Sequence, residues 1–322
     1  MSPNQIKRKK IFDAYIHQLS ILKTLESFNP TVEILEDKYI CPLCLNYFDE
    51  TDLDQTKDNP LTLEDAPPKA LGGKANTLTC KRCNNDMGRV IDSQLSLRMK
   101  EFEAHKFLPD SKYEVRIVDG DEKFQGTIET NKDGKITVLH ENRNNNPNKL
   151  KEFIDGIEKD KEVKVEFRLK SVNEEYLSHS LLKTIYMMVF EKLGYSAILH
   201  EETYSRIRRQ LHNPDKDIYG FKFWRESDYP KEVKGVNLIL EKHLESFLAI
   251  FDLISDNSST TVAGFLPRPP TNMPNLERMM NYRKRMGYSQ YIDAAHLEPK
   301  VSFITDSEDI ISIVKLMNNE SI

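Results

Sequence analysis

Apolar residues recur at helical spacing in two long stretches of the chain. The first stretch runs from residue 6 to residue 26 and stops at Asn29-Pro30. The second begins at Leu177 and stops at Gly194, a residue type that suits a left-handed helix cap. The spacing therefore predicts an N-terminal amphipathic helix and a long helix in the middle of the chain. The apolar positions of the N-terminal helix are Ile11, Phe12, Tyr15, Leu19 and Leu22.

Elsewhere apolar residues alternate with a period of two, as they do in half-buried strands. The alternation is clearest from Tyr113 to His140, where Asp119-Gly120 and Asp133-Gly134 supply hairpin turns, so a β-meander is predicted. Further strands are predicted at residues 163–169, 236–240, 247–254 and 261–266. Helices are predicted at residues 150–157, at 202–211 with Arg206, Arg208 and Arg209 exposed, and after the proline-rich break at 267–274, where a basic helix carries Arg278, Arg283, Lys284 and Arg285.

Helices and strands are mixed along the chain without a regular βαβ alternation, which predicts an α+β fold. The chain has 322 residues, a length that suits about two domains. We expect an N-terminal helical segment at 1–36, a small cysteine-containing module at 37–105, and a larger α+β domain at 106–322 with a role in recognition or regulation.

The composition excludes several classes of protein. With 39% hydrophobic and 30% charged residues, the chain does not have the composition of a membrane, collagenous or disulfide-rich protein. Its apolar runs are far shorter than the roughly 18 residues of a membrane helix, and the N-terminal sequence lacks the apolar core of a signal peptide. We expect a soluble, cytoplasmic protein with no membrane partner.

All four cysteines occur as two Cys-x-x-Cys pairs, Cys41 with Cys44 and Cys80 with Cys83. Two such pairs supply the four thiolates of a closed tetrahedral zinc site, whereas a redox motif needs only one pair. Zinc is favoured because soft thiolate ligands and tetrahedral geometry both suit it. The sequence therefore predicts structural Zn²⁺ at these four residues.

Charge changes sign between the two cysteine pairs. Residues 46–68 carry seven acidic side chains and one lysine, whereas residues 69–100 carry seven basic side chains and two aspartates. Because affinity for nucleic acid comes largely from neutralised phosphates, the basic half is a candidate nucleic-acid surface. A basic face that merely contacts solvent is the alternative for any one of its residues, and the candidates are Lys69, Lys74, Lys81, Arg82 and Arg89.

The sequence from Glu64-Asp65 through Pro67-Pro68 and Gly72-Gly73 to Cys80-Lys-Arg-Cys83-Asn84-Asn85 resembles the HNH endonuclease family in its four-cysteine zinc form. The resemblance covers residues 37–95 and implies a zinc-stabilised ββα-metal module. It also implies hydrolysis of phosphodiester bonds in nucleic acid, most simply double-stranded DNA, and by family analogy a role in restriction or anti-phage defence. The glycine pair would supply the loop between the strands.

The resemblance assigns roles to matching positions. Glu64 and Asn84 match the metal ligands of the family and would hold a catalytic Mg²⁺ or Mn²⁺ through oxygen atoms, joined by Asp65 if the module is active. Asn76 would match the asparagine of the family name, displaced by one residue. Asp92 would be a further ligand, an outer partner, or a solvated or capping aspartate.

The departure from the family is that Asp65 stands where the family has a histidine general base, and none of the eight histidines lies in the motif. Histidine accepts a proton near neutral pH, whereas an exposed aspartate, with a pKa near about 3.9, is a weaker base. Two hypotheses follow. Either Asp65 acts as the base in an active endonuclease, or the module is catalytically degenerate and binds nucleic acid or a protein partner. A nuclease that requires a partner or small-molecule trigger at residues 106–322 is a third.

Overall fold

The computed structural model describes residues 2–140, 145–157, 162–199, 202–219, 224–240, 244–269, 294–297 and 301–318. Two compact units divide the chain. One comprises Met1–Gln94, Glu174–Leu253 and Thr260–Ile322, and the other comprises Leu95–Asn173 and Ile254–Ser259. The units follow different boundaries from the segments that we expected, because the cysteine-containing segment clusters with residues that follow it by more than 80 positions.

Helix α1, Pro3–Thr24, begins the first unit. The side chain of Ser2 accepts a hydrogen bond from the backbone N–H of Gln5, and Pro3 occupies a position where a missing N–H costs nothing. Of the predicted apolar positions, Phe12, Tyr15, Leu19 and Leu22 are buried and Ile11 is partly buried. Tyr15 stacks on Phe190 at 4.7 Å between ring centroids. The N-terminal helix is therefore confirmed, and it packs in an aromatic core.

The cysteine-containing segment forms two hairpins, and consecutive helical segments follow them. Strands β1 (Tyr39–Ile40) and β2 (Tyr47–Phe48) pair antiparallel, as do β3 (Leu61–Ala66) and β4 (Lys74–Cys80). Helix α2 (Lys81–Met87) follows β4 directly, and a π-helical turn, Gly88–Asp92, leads into α3 (Ser93–Lys106). The order strand, strand, helix predicted by the resemblance is present at β3–β4–α2.

The second unit contains the predicted β-meander. Strands β5 (Ser111–Asp119), β6 (Glu122–Thr130) and β7 (Ile136–His140) pair in sequence, and β8 (Lys164–Phe167) adds to β5, which gives the order β7-β6-β5-β8. Helix α4 (Pro147–Asp155) covers this sheet by burying Leu150 and Phe153 against Val115, Ile117, Phe124 and Ile128. Alternation in the strands and two apolar positions in the helix thus make one small core.

The remaining elements of the first unit are helical and strand segments in mixed order, so the fold is α+β in composition. The helices are α5 (Glu174–Leu193), α6 (Tyr195–Ile198), α7 (Glu202–His212) and α8 (Ser307–Met317). Strands β9 (Trp224–Glu226), β10 (Gly235–Ile239), β11 (Ser246–Ile254), β12 (Ser259–Pro267) and β13 (Ala294–His296) form a sheet in the order β13-β10-β11-β12-β9. The basic helix predicted at 278–285 lies outside the described residues.

Two details of the helical predictions were wrong. Gly194 has a positive φ of 62°, but its ψ of −142° is not left-handed helical, and the residue is the N-cap of α6. Glycine is required there because an added Cβ would lie 2.1 Å from Oε1 of Gln18. Arg208 is buried rather than exposed, since its guanidinium donates to the hydroxyl of Tyr186 and the carbonyl of Ile198.

Candidate functional site

The four cysteines come together in the first unit at the ends of two hairpins. Cys41 and Cys44 lie in the turn between β1 and β2, where Leu45 adopts a positive φ of 60° and donates its N–H to the carbonyl of Cys41. Cys80 ends β4, and Cys83 lies in the first turn of α2. The four Sγ atoms lie within 4.8 Å of one another, so this cluster could hold a metal ion such as zinc.

Distances and charge in the cluster both suit a cation. The Sγ atoms of Cys44 and Cys80 are 3.8 Å apart, which is the separation of about 3.8 Å that tetrahedral zinc with Zn–S bonds of about 2.3 Å requires. Burial raises the pKa of the Cys41 thiol. Hydrogen bonding to Cys41 lowers the pKa of Cys80 and raises the pKa of Cys83. The thiols thus cannot all ionise together unless a cation compensates their charge.

Helices from later in the chain hold the first cysteine turn in place. Tyr186 on α5 donates its hydroxyl to the carbonyl of Pro42 at 2.7 Å, and Tyr195 on α6 donates to the carbonyl of Ile40 at 2.6 Å. His212, the last residue of α7, lies with Nε2 3.2 Å from the carbonyl oxygen of Leu43 and 3.9 Å from Sγ of Cys83. The cysteine cluster is therefore built into the first unit rather than standing apart from it.

The β3–β4 hairpin carries the acidic pair at the end away from the cysteines. Asp65 pairs with Ala75 and Glu64 with Thr77, so Asn76 is an extra residue that forms a bulge opposite the acidic pair. Gly72 adopts a left-handed conformation in the connecting loop, and a side chain at Gly73 would collide with the carbonyl of Pro67. The glycine pair does supply the loop that the sequence predicts.

Glu64 is almost completely buried and is fully occupied by protein partners. Its Oε1 lies 2.7 Å from Nζ of Lys183, and its Oε2 accepts the hydroxyl of Thr79 at 2.8 Å. Nζ of Lys183 also lies 2.5 Å from Asp92, whose other oxygen accepts from Ser180. Asp92 is therefore neither solvated nor a helix cap but one of two carboxylates that share a buried lysine.

Burial and mutual attraction shift the pKa values of Glu64 and Lys183 in this ion network. Burial raises the pKa of Glu64, and the opposing attraction of Lys183 does not fully cancel that effect. Burial lowers the pKa of Lys183, but attraction to Glu64 and Asp92 outweighs it, so the pKa lies above its ordinary value. Lys183 is thus held charged, and its ammonium group lies against the oxygen that the resemblance assigns to a metal ion.

Asp65 has a different environment from its neighbour. It is half-buried, and burial raises the pKa of its carboxyl group against the opposing charges of Lys69, Lys7 and Lys183. Within the described part of the chain its carboxylate oxygens have no hydrogen-bond or ion-pair partner. A carboxylate with open oxygens, a raised pKa and lysines around it is able to accept a proton beside a phosphate.

The bulged Asn76 bonds to an acidic residue from α5. Its Nδ2 donates to Oε1 of Glu191 at 2.7 Å. Burial raises the pKa of Glu191, and the hydrogen bond from Asn76 and the charges of Lys7 and Lys74 oppose that rise. The structure therefore joins Asn76 to a side chain 115 residues further along, not to Glu64 or Asp65.

Asn84, the third predicted metal ligand, directs its amide nitrogen toward β3. Nδ2 donates to the carbonyl of Leu63 at 3.0 Å and to the hydroxyl of Thr62 at 3.1 Å. These bonds tie α2 to β3. Apart from the four cysteines, no group of three or more cysteine, histidine, aspartate or glutamate side chains in the described ranges is close enough to hold a metal ion.

The predicted nucleic-acid-binding residues are all exposed. These are Lys69, Lys74, Lys81, Arg82 and Arg89. Lys7 of α1 is exposed as well, and its charge acts on both Asp65 and Glu191. The N-terminal helix therefore adds a basic side chain to the region around Asp65.

Sequence reasoning missed Lys183, Glu191 and His212. Lys183 had a visible signal, since it is a single lysine inside the apolar run from Leu181 to Ile185 and must find an anionic partner when buried. Glu191 and His212 had none, because their partners are set by the docking of α5 and α7.

No family model, no curated protein and no solved structure matches the chain. None of the described helices is long and apolar enough to cross a bilayer.

Proposed function

We propose that this protein is a zinc-stabilised endonuclease of HNH type that hydrolyses phosphodiester bonds in double-stranded DNA. The observation that carries the proposal is Asp65, a half-buried carboxylate whose pKa is raised. It lies at the bulge of the β3–β4 hairpin, and the cysteine cluster lies at the other end of the same strand–strand–helix unit. The proposed metal in the cluster is zinc, because four thiolates at tetrahedral spacing are its preferred ligands.

In the proposed reaction Asp65 takes a proton from the attacking water, whose oxygen bonds to phosphorus. The P–O bond to the departing sugar oxygen breaks, and that oxygen takes a proton from solvent. Its raised pKa makes it a stronger base than a solvated aspartate, which partly compensates for the missing histidine. Exposed Lys7, Lys69 and Lys74 would neutralise phosphate charge around the reacting group. These roles require only side chains whose charges act at Asp65 or at Glu191.

A catalytic Mg²⁺ or Mn²⁺ does not fit all three of its predicted ligands in the arrangement described. Both oxygens of Glu64 are engaged by Lys183 and Thr79, and a divalent ion at this carboxylate would have to replace a buried ammonium group. Asp65 offers open oxygens of the type that Mg²⁺ prefers. We therefore assign no catalytic step to the divalent ion.

The test is cleavage of supercoiled plasmid by zinc-loaded protein with added Mg²⁺, with added Mn²⁺, or without an added divalent ion. We expect Asp65→Asn to reduce cleavage at least about 100-fold, the lower end of general-base effects. Asp58→Asn, at an exposed acid of the same segment, should cleave like the natural chain. Equal cleavage by Asp65→Asn and the natural chain, or no cleavage under any condition, would contradict the proposal.

A second candidate function is favoured by the Lys183 ion network. A lysine that permanently pairs with the carboxylate of Glu64 is expected in a module that has kept its zinc and its basic surface but has lost catalysis. Such a module would bind nucleic acid, or a protein partner, without cutting it. Two substitutions separate this candidate from the first.

In a degenerate module the natural chain should not cleave DNA, and Asp65→His should create metal-dependent cleavage only when it is combined with Lys183→Ala, because Lys183 otherwise occupies the carboxylate of Glu64. Lys183→Ala should increase the affinity for Mn²⁺, measured by calorimetry, because it frees the carboxylates of Glu64 and Asp92. If the natural chain cleaves DNA and Asp65→Asn does not, the second candidate is excluded.

A further inference from the structure

His212 lies beside the cysteine cluster although it is 129 residues from Cys83 in sequence. Its Nε2 is 3.2 Å from the carbonyl oxygen of Leu43, inside the first Cys-x-x-Cys turn, and 3.9 Å from Sγ of Cys83, in the second pair. A carbonyl oxygen can only accept a hydrogen bond, so Nε2 must carry the hydrogen. Sγ of Cys83 lies 3.9 Å from the same nitrogen, so this N–H can be shared between the two acceptors.

The protonated Nε2 decides which role is open to His212. A ring nitrogen that carries hydrogen has no lone pair with which to bind a metal ion, so this nitrogen is not a fifth ligand. It can instead donate to a thiolate, and Cys83 is the thiolate within reach. Donors of this kind in the outer shell of metal sites orient the ligands and reduce their charge.

The helix that carries His212 is fixed by bonds of its own. Arg208, one turn earlier on α7, donates to the hydroxyl of Tyr186, and that hydroxyl donates to the carbonyl of Pro42 in the first cysteine turn. Leu211 is also buried. The position of His212 relative to the cysteines is therefore set by at least two independent contacts between α7 and its surroundings.

We propose that His212 is a positioning residue of the zinc site, whose Nε2–H donates to the zinc-bound thiolate of Cys83 and ties the end of α7 to both cysteine pairs. The inference rests on the proposed zinc and not on phosphodiester cleavage. Without the donor, the zinc-bound sulfur of Cys83 is less firmly oriented, and zinc is released faster.

The experiment measures the rate of zinc release from the purified, zinc-loaded full chain to a colorimetric zinc chelator. We expect His212→Ala to lose zinc about tenfold faster than the natural chain, the lower end of the range for outer partners, since this side chain is exposed. His212→Gln, whose amide can donate, should recover part of the difference. His17→Ala, at an exposed histidine of α1, is the matched control and should behave like the natural chain.

A second readout separates an outer partner from a ligand. Cobalt-loaded protein should show the charge-transfer absorption of four thiolates in both the natural chain and His212→Ala, with the band shifted to lower energy in the variant. Equal zinc release in His212→Ala and the natural chain overturns the proposal, and so does a cobalt spectrum that changes ligand number. A natural chain that binds no zinc overturns both this inference and the zinc assignment, whereas zinc binding without DNA cleavage leaves this inference standing.

Discussion

The two ends of the β3–β4 hairpin are organised in opposite ways. At one end Leu61 pairs with Cys80, and the four cysteines of the cluster belong to two Cys-x-x-Cys motifs that are visible in the sequence. At the other end Glu64 is neutralised by Lys183, 119 residues further along. One end is thus specified locally and needs a metal ion, whereas the other depends on how α5 docks and is satisfied by the protein alone.

This difference predicts different responses to substitution. A metal site fails as a unit, because ligation and folding are coupled and three thiolates hold zinc much more weakly than four. A buried ion network fails through the group that is left unpaired, so the cost depends on which member is removed. The lysine end can therefore be tested by a variant that leaves the zinc site intact, whereas loss of zinc should affect the whole hairpin.

Loss of a cysteine ligand should have the largest effect. We expect Cys83→Ser, or removal of zinc by a strong chelator, to unfold the region from β1 to α2, because structural zinc contributes about 10–16 kcal/mol in small zinc modules. Hydrogen exchange would report the loss of protection in β3 and β4, together with zinc content by atomic absorption. Zinc, but not Mg²⁺, should restore protection after chelation. Full protection in the zinc-free protein would show that the cluster is dispensable.

Removal of the buried lysine should have the next largest effect. Lys183→Met leaves the buried Glu64 and the partly buried Asp92 without a cation, and we expect the free energy of unfolding to fall by about 3–5 kcal/mol. Urea unfolding measures this change, and zinc content should be unaltered in the folded variant. Lys100→Met, at an exposed lysine, is the control and should change stability by less than about 0.5 kcal/mol.

A double variant identifies the cause of that loss. Glu64→Gln combined with Lys183→Met removes one of the two uncompensated charges, so part of the lost stability should return. If the double variant is less stable than Lys183→Met alone, the lysine stabilises the unit through its packing rather than through its charge.

The contrast between the two ends also explains what the sequence could predict. Cys41, Cys44, Cys80 and Cys83 were predictable because ligand spacing encodes the chemistry, and the β-meander from Tyr113 to His140 because alternation and Asp-Gly turns are local signals. The partners of Glu64, Asn76 and Cys83 were not predictable. They are Lys183, Glu191 and His212, which lie more than 100 residues away on helices whose docking no local pattern encodes.

The smallest expected effect is the pH dependence contributed by Glu191. Burial raises the pKa of this carboxyl group above its ordinary value of 4.5, so the folded protein binds its proton more tightly than the unfolded chain does. The stabilisation that this group contributes is complete below pH 4.5 and is lost as the pH rises through the raised pKa. Glu191→Gln should therefore gain stability relative to the natural chain as the pH increases across that window, measured as the difference between urea-unfolding free energies. Glu36→Gln, at an exposed glutamate, should show no such trend. A constant difference between Glu191→Gln and the natural chain at all pH values would mean that the bond from Asn76 and the charges of Lys7 and Lys74 cancel the effect of burial on the pKa of Glu191.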